Sequence, residues 1–477
     1  MTDTTNITFY ERVEEALQNT QARGAFDRAT KRFTALRATA FTSLPAAGDL
    51  TRDRARAIRA ETLSHLDRYL AQFADAVATA GGQVHWAADA AEANRIIGEI
   101  AQVNHVQRVV KSKSMVSEEI HLNHALEALG CEVIESDLGE YIIQLAGETP
   151  SHIITPVIHK TKEQVGEILR DKINMPLTHE VTEMTAFVRM KMREIFLTAD
   201  MGISGVNFGV AETGTIVTVT NEGNGRMTTT CPRIHVAVMG IERLVPTLDD
   251  LSVMLQVLAR SATGQKLSVY TNLITGPRRA HEPDGPDELH VVLIDNGRSK
   301  VLGTEVAEIL YCIRCGACLN ACPVYREIGG HAYGSVYPGP IGSVVTPALY
   351  GVALWSDLPH ASSLCGACRE VCPVRIDLPG LLLKLRHQTA AAGKTPKYLQ
   401  VGLRAFRWAG TRPALFHLGM KFASWGSRLI ASRGWIKRLP GPLSHWTQSR
   451  DFPAFAKESF SAQLKKRRRE SGIEGQP

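Results

Sequence analysis

The stretch Cys312-Ile-Arg-Cys315-Gly-Ala-Cys318-Leu-Asn-Ala-Cys322-Pro323 decides how the chain is read. It matches the C-x2-C-x2-C-x3-C-P run of bacterial ferredoxin-type 4Fe–4S sites. Three thiolates at i, i+3 and i+6 on a tight loop point to three corners of an iron–sulfur cube. Gly316 and Ala317 let backbone amides approach its sulfides. The fourth cysteine starts a helix, and Pro323 turns it away, so it serves a neighbouring cluster.

A second run follows: Cys365-Gly-Ala-Cys368-Arg-Glu-Val-Cys372-Pro373 repeats the Cys-Gly-Ala-Cys-x3-Cys-Pro core. Exchanging the fourth cysteines assigns Cys312, Cys315, Cys318 and Cys372 to one cluster, and Cys322, Cys365 and Cys368 to the other. Aligning the runs puts Ser362 where an eighth thiolate would stand. Three options stay open: a 3Fe–4S cluster, a 4Fe–4S cluster with an open or oxygen-ligated iron, or a nearby ligand such as His360. Zinc is the other reading of clustered cysteines. Its sites are normally built from two C-x2-C pairs rather than from four cysteines in one short run ahead of proline. Cys131, in an expected strand, and Cys231, in a turn-rich stretch, read as ordinary thiols.

The chain around these runs has 477 residues, enough for two to four domains. Hydrophobic residues make up 44% and charged residues 21%, a globular composition rather than a disordered one. No apolar run is long enough for a transmembrane helix. Met1–Thr8 has neither a basic n-region nor an apolar h-region. The odd count of nine cysteines argues against a disulfide framework. A cytoplasmic protein is expected.

Upstream, residues 1–70 read as a helical segment broken by a turn at Ser43–Asp49, with Leu63, Leu66, Tyr69 and Leu70 spaced for one face. Residues 71–304 alternate strands and helices. Strands are expected at Gln83–Ala87, Gln107–Lys111, Cys131–Glu135, His152–Thr155, Leu267–Tyr270 and His290–Ile294. Helices are expected at Asp89–Val106, Ser117–Leu129, Ala186–Phe196 and Leu248–Ala262, and Thr161 with Gln164 forms a capping box before another. This rhythm predicts an α/β fold with a mostly parallel sheet. Ile216–Thr220, the turn Asn221–Arg226 and Ile234–Met239 read as a strand, a tight turn and a second strand.

Three stretches of this region are unusually polar: Lys111–Asn123, Glu135–Glu140 and Gly202–Thr215. Each follows a strand or lies in a glycine-rich loop, where ligands gather in open α/β sheets. In the first, a lysine and backbone amides could hold an anion. The plainer reading of all three is caps and turns. Neither a Rossmann G-x-G-x-x-G nor a Walker A sequence occurs, so a tightly held flavin or nicotinamide is not indicated.

Lys111-Ser-Lys-Ser-Met115, Glu135-Ser-Asp-Leu-Gly-Glu-Tyr-Ile-Ile-Gln144, Pro150-Ser-His-Ile153, Pro156-Val-Ile-His-Lys160 and Ala211-Glu-Thr-Gly-Thr215 resemble the lactate-utilization (LUD) domain. Joined to a dicluster ferredoxin-type region at 305–385, the chain resembles the lactate utilization protein B family from about residue 70 to 475. That resemblance implies a LUD domain similar to the CoA-transferase and formyltetrahydrofolate cyclo-ligase folds. It implies an α-helical dicluster domain with two iron–sulfur clusters, in which the seven-cysteine pattern recurs. It further implies electron transfer in the oxidation of L-lactate to pyruvate with partner proteins A and C. It supplies no catalytic residue.

Residues 386–477 read as a basic helical tail. From 381 onward, 19 lysines and arginines face 4 acidic residues, so the formal total of +6 hides a net negative remainder. Four of the six tryptophans lie here. Basic amphipathic helices fit docking on an acidic partner subunit, or an anionic membrane surface near a quinone pool. No motif for nucleic acid accompanies the charge. Two rival functions remain: an iron–sulfur subunit for another 2-hydroxy acid such as glycolate, and a redox-sensing regulatory module.

Overall fold

The computed structural model describes residues 7–395, 397–448 and 450–470, so most of the N-terminal stretch read for a leader lies outside the described residues. The chain divides into two compact units, Met1–Gly393 and Lys394–Pro477.

The strands of the first unit are β1 (Gln83–Ala87), β2 (Arg108–Lys111), β3 (Glu132–Glu135), β4 (Met201–Gly205), β5 (Phe208–Val210), β6 (Thr215–Thr220), β7 (Ile234–Gly240), β8 (Leu244–Val245), β9 (Tyr270–Ile274) and β10 (Glu288–Ile294). Six form one sheet in the order β1-β10-β7-β4-β2-β3, and every pairing is parallel. β7 and β10 are almost continuous apolar runs, buried along nearly their whole length, as strands covered on both faces must be. On one face lie the helices Ala90–Val103 and Leu122–Glu127, which bring Ile97, Leu122 and Leu126 against Val109, Ile203, Val236 and Val292. Helices Lys162–Ile173 and Val181–Thr198 cover the β2–β3 end through Leu169, Met184, Val188 and Met192. The Thr161–Gln164 capping box is present.

The other face joins a larger core. Phe26 and Phe73 from the N-terminal helices, Met239 from β7, and Leu319, Tyr325 and Leu382 from the cysteine region belong to one continuous cluster. The N-terminal helices, the α/β region and the cysteine loops are therefore packed together.

Four local expectations are corrected. The strand expected at Leu267–Tyr270 begins only at Tyr270 and runs to Ile274. β6 and β7 do not form a hairpin. β6 joins a second sheet, β8-β5-β6-β9, and the residues between become the helix Asn224–Thr230. His152–Thr155 is not a strand, because its polar backbone finds local partners: the Ile154 and Thr155 amides donate to His152 Nδ1 at 3.0 and 3.2 Å. The helix expected over 117–129 is two short helices, Met115–Glu119 and Leu122–Glu127, separated where His121 adopts φ +54°.

The second unit contains helices Lys397–Gly410 and Pro413–Ile430, a two-stranded ladder pairing Trp435–Ile436 with Phe452–Pro453, and helix Phe460–Glu470. Among the described residues, no helix is long and apolar enough to cross a membrane.

Candidate functional site

The two cysteine runs share one backbone. In the first, Arg314 (φ +57°) and Gly316 (φ +75°) flank Cys315; in the second, Leu364 (φ +55°) and Gly366 (φ +87°) flank Cys365. Left-handed backbone on either side of a cysteine curls the loop, and glycine makes one of the two positions free of strain. Each loop then enters a helix of one turn, Ala317–Ala321 or Ala367–Val371, and leaves it at Cys322 or Cys372 with extended backbone. Proline follows in both.

Backbone amides point at the sulfurs. Arg314 donates to Cys312 Sγ at 3.3 Å, Tyr325 to Cys322 Sγ at 3.5 Å, and Ile376 to Cys372 Sγ at 3.3 Å. The thiols also influence one another in two groups. Cys312 and Cys372 both act on Cys315 and Cys318, while Cys365 acts on Cys322 and both of these act on Cys368. Cys318 also feels Cys368, so the groups adjoin. Burial, reinforced by neighbouring thiols, pushes Cys315 and Cys368 up to about 12 and Cys372 up to about 11. Such thiols keep their protons until a metal supplies positive charge. Among the described residues, no three histidine, cysteine or acidic side chains form a group able to hold a single metal ion. Soft sulfur donors, amides aimed at them and two adjoining thiol groups fit iron–sulfur clusters.

Ser362 stands where Cys312 stands in the first loop, and its hydroxyl accepts the Leu364 amide at 3.1 Å. The charged groups acting on His360 are Arg386 and Asp357. Cys131 is buried in the sheet core, its thiol donating to the Val106 carbonyl at 3.4 Å, and Cys231 is exposed.

A basic collar around the first thiol group was not foreseen from the sequence. Arg37 Nη2 donates to the Val371 carbonyl at 2.8 Å, and Arg52 Nη2 to the Cys372 carbonyl at 2.9 Å. Arg59 Nη2 reaches the Leu310 carbonyl at 3.0 Å, and Arg243 Nη1 the Cys312 carbonyl at 3.4 Å. Arg52, Arg56 and Arg59 recur at i, i+4 and i+7 on helix Asp49–Ser64, a signal the sequence did carry. Buried positive charge here favours an anionic, thiolate-held group.

The three polar stretches meet in one pocket beyond the carboxyl ends of β2, β3 and β4, with a volume of about 220 Å³. The first contributes Ser112, Lys113 and Ser114, the second Asp137, and the third Asn207. Lys111 is not available to a ligand. It is fully buried, with Nζ 2.7 Å from both Glu118 and Glu135. Glu222, Arg243 and Arg314 complete the charged lining, and Arg314 brings the pocket directly to the Cys312–Cys315 loop. Burial, followed by the neighbouring Asp137 carboxylate, pushes the Glu222 carboxyl up to about 7.

Beside the pocket lies an ionic network. Arg298 grips Glu119 through two bonds of 2.8 Å and Glu242 through one of 2.6 Å, and the Tyr337 hydroxyl donates to Glu119 at 2.5 Å. The network ties the α/β region to the segment after the first cysteine run. Burial works against the Glu242 charge, but Arg298, Arg243 and Arg314 outweigh it and hold the carboxyl near 2.

Residues 70–294 match the LUD domain, 308–376 the 4Fe-4S dicluster domain, and 387–469 the lactate utilisation protein B C-terminal region. Lactate utilization protein B of Bacillus pumilus (strain SAFR-032) is 47% identical over 464 residues, covering 97% of this chain and 98% of that one. The chain belongs to the lactate utilization protein B family. The Bacillus licheniformis protein of that name is 46% identical over 97% of this chain and 98% of its own. The uncharacterized electron transport protein YkgF of Escherichia coli (strain K12) is 45% identical over 97% of each. Within the family, this chain combines the LUD domain and the dicluster domain, and the pocket lies where the two regions pack together.

Proposed function

We propose that the chain is the iron–sulfur electron-transfer component of a multi-protein system that oxidises L-lactate to pyruvate and allows growth on lactate. The observation that carries this reading is the pair of matching loops whose seven thiols fall into two adjoining groups. Cys312, Cys315, Cys318 and Cys372 hold one cluster, while Cys322, Cys365 and Cys368 hold the other. Bound iron–sulfur clusters supply one-electron transfer, and two in contact make a relay. The chain's own part is to fix the thiolates, aim amides at them and surround the first group with arginine. Similarity to proteins named for lactate utilization supports the substrate. It also supports lactate utilization proteins A and C as partners. The basic tail docks on an acidic partner surface and brings the relay toward a membrane acceptor.

The test is anaerobic purification of the full chain with iron and sulfide analysis and EPR, then reconstitution with the two partner proteins. Two clusters per chain, reduced when L-lactate is added to the complete system, support the reading. A colourless protein containing zinc or no metal ends it. Oxidation of glycolate but not L-lactate removes the substrate assignment.

A further inference from the structure

Arg243 and Arg314 are more than nine-tenths buried and line the pocket. Neither is fully paired. Arg243 Nε has no hydrogen-bond partner, and Arg314 lacks one at both Nε and Nη1. The shared counterion Glu242 is 3.7 Å from Arg243 and 3.8 Å from Arg314, too far for a hydrogen bond to either. Arg314 otherwise lies over the Tyr337 ring at 4.5 Å. A buried guanidinium with unused N–H groups is costly unless an anion answers it; the thiolate-held group at Cys312 answers part of this charge, and both arginines also line the pocket, where a second anion can answer the rest. The answering group must be anionic, and the planar fork suits a carboxylate.

The same pocket also carries Lys113, Asp137 and Glu222. A simple anion site would not place two carboxyl groups in its wall, because they would repel the ligand. Carboxyl groups do suit a ligand that has a hydroxyl or carbonyl beside its anionic end, since they can accept from the former or, when protonated, donate to the latter.

We propose that this pocket binds a small 2-hydroxy or 2-oxo carboxylate, its carboxylate held by Arg243 and Arg314 and its 2-oxygen turned toward Asp137 and Glu222. Anion binding follows from the pocket alone; the choice of a 2-oxygenated acid rests on the electron-transfer reading above. Because Arg314 lies between Cys312 and Cys315, an occupant would sit against the loop of the first thiol group. The pocket then either samples the fuel or product of the system, or positions it beside the relay.

Calorimetry on the anaerobically purified full-length holoprotein, without partners, tests this with L-lactate, pyruvate, acetate and inorganic phosphate as probes. L-lactate or pyruvate is expected to bind more tightly than acetate and phosphate, and to alter the EPR spectrum of the reduced protein. Arg243→Gln should weaken binding roughly ten- to a hundredfold, the loss of a hydrogen bond to a charged group. If Arg243→Gln does not retain iron, Lys113→Gln decides instead, with a smaller loss expected. No binding of either acid by iron-replete protein overturns the proposal. So does equal or tighter binding of acetate or phosphate, or binding unchanged in the variant that retains iron. A protein that passes electrons but binds neither acid loses this site and keeps its proposed function. One that binds the acid but passes no electrons does the reverse.

Discussion

Ser362 accepts the Leu364 amide at 3.1 Å, the bond that Cys312 accepts from Arg314 at 3.3 Å. The second loop thus repeats the first up to Ser362, with an oxygen where the first has the Cys312 sulfur. Ser362→Cys is expected to complete a four-thiolate set with Cys322, Cys365 and Cys368. Iron per chain should rise, or any 3Fe–4S signal of the oxidised protein should vanish. If iron content and oxidised EPR spectrum are the same in both proteins, Ser362 does not mark the fourth corner.

Cys372 acts on Cys315 and Cys318 of the first run, and Cys312 acts on it in turn. Cys372→Ser is therefore expected to damage the cluster held by Cys312, Cys315 and Cys318 and to spare its neighbour, whereas Cys322→Ser should do the opposite. EPR of the reduced variants separates the two. Loss of the same signal from both would show that the fourth cysteines are not exchanged.

The parallel sheet was legible in the sequence because strands and helices alternate through residues 71–304, and spacing alone separated the two cysteine runs. The failures share a physical cause. Asn221–Arg226 carries turn residues, and sequence distance cannot show that β6 and β7 belong to different sheets. Ile153 and Ile154 look like strand residues, yet the buried His152 ring accepts the Ile154 and Thr155 amides and bonds Asn320 Oδ1 at 3.1 Å. The polar stretches were visible as loops. That Lys113 and not Lys111 reaches the pocket depends on Glu118 and Glu135, which only the folded chain brings to Lys111. The arginine collar is not legible in the sequence, because Arg52 and Arg59 lie more than 250 residues from the carbonyls they bind in the cysteine region.

Among the described residues, Arg298 is the one counterion that touches both Glu119 and Glu242 by hydrogen bonds. Arg298→Met leaves two carboxylates buried without it, and removing one partner of such a network costs about 3–5 kcal/mol. A lower thermal midpoint is expected, partly restored when Glu119→Gln is added. An unchanged midpoint for Arg298→Met would mean that the network contributes little.

Leu418, Phe422, Trp425 and Leu429 recur on one stripe of the helix Pro413–Ile430, and all are exposed. Lys421 and Arg428 interleave with them. Because Met1–Gly393 is compact by itself, removing Lys394–Pro477 should leave iron content intact while abolishing co-purification with the partner subunits. Salt should weaken that association in the full chain, as it screens exposed charge. Undiminished co-purification of the shortened chain would take the docking role away from the tail. Loss of binding to anionic vesicles alone would assign it to a membrane instead.

Glu222 gives the pocket a pH signature. Its carboxyl is raised from 4.5 to about 7, first by burial and then by Asp137, so the folded chain holds that proton more tightly than the unfolded one. The resulting stabilisation is fully present below pH 4.5 and is lost as the pH rises through about 7. Glu222→Gln cannot ionise. Its thermal midpoint should follow that of the natural protein below pH 4.5 and exceed it above about 7, where the natural protein carries two adjacent carboxylates. Part of Glu222 faces solvent, so the difference will be smaller than the shift alone implies. Superimposable midpoint profiles for the two proteins would show that Glu222 ionises as an ordinary surface carboxylate.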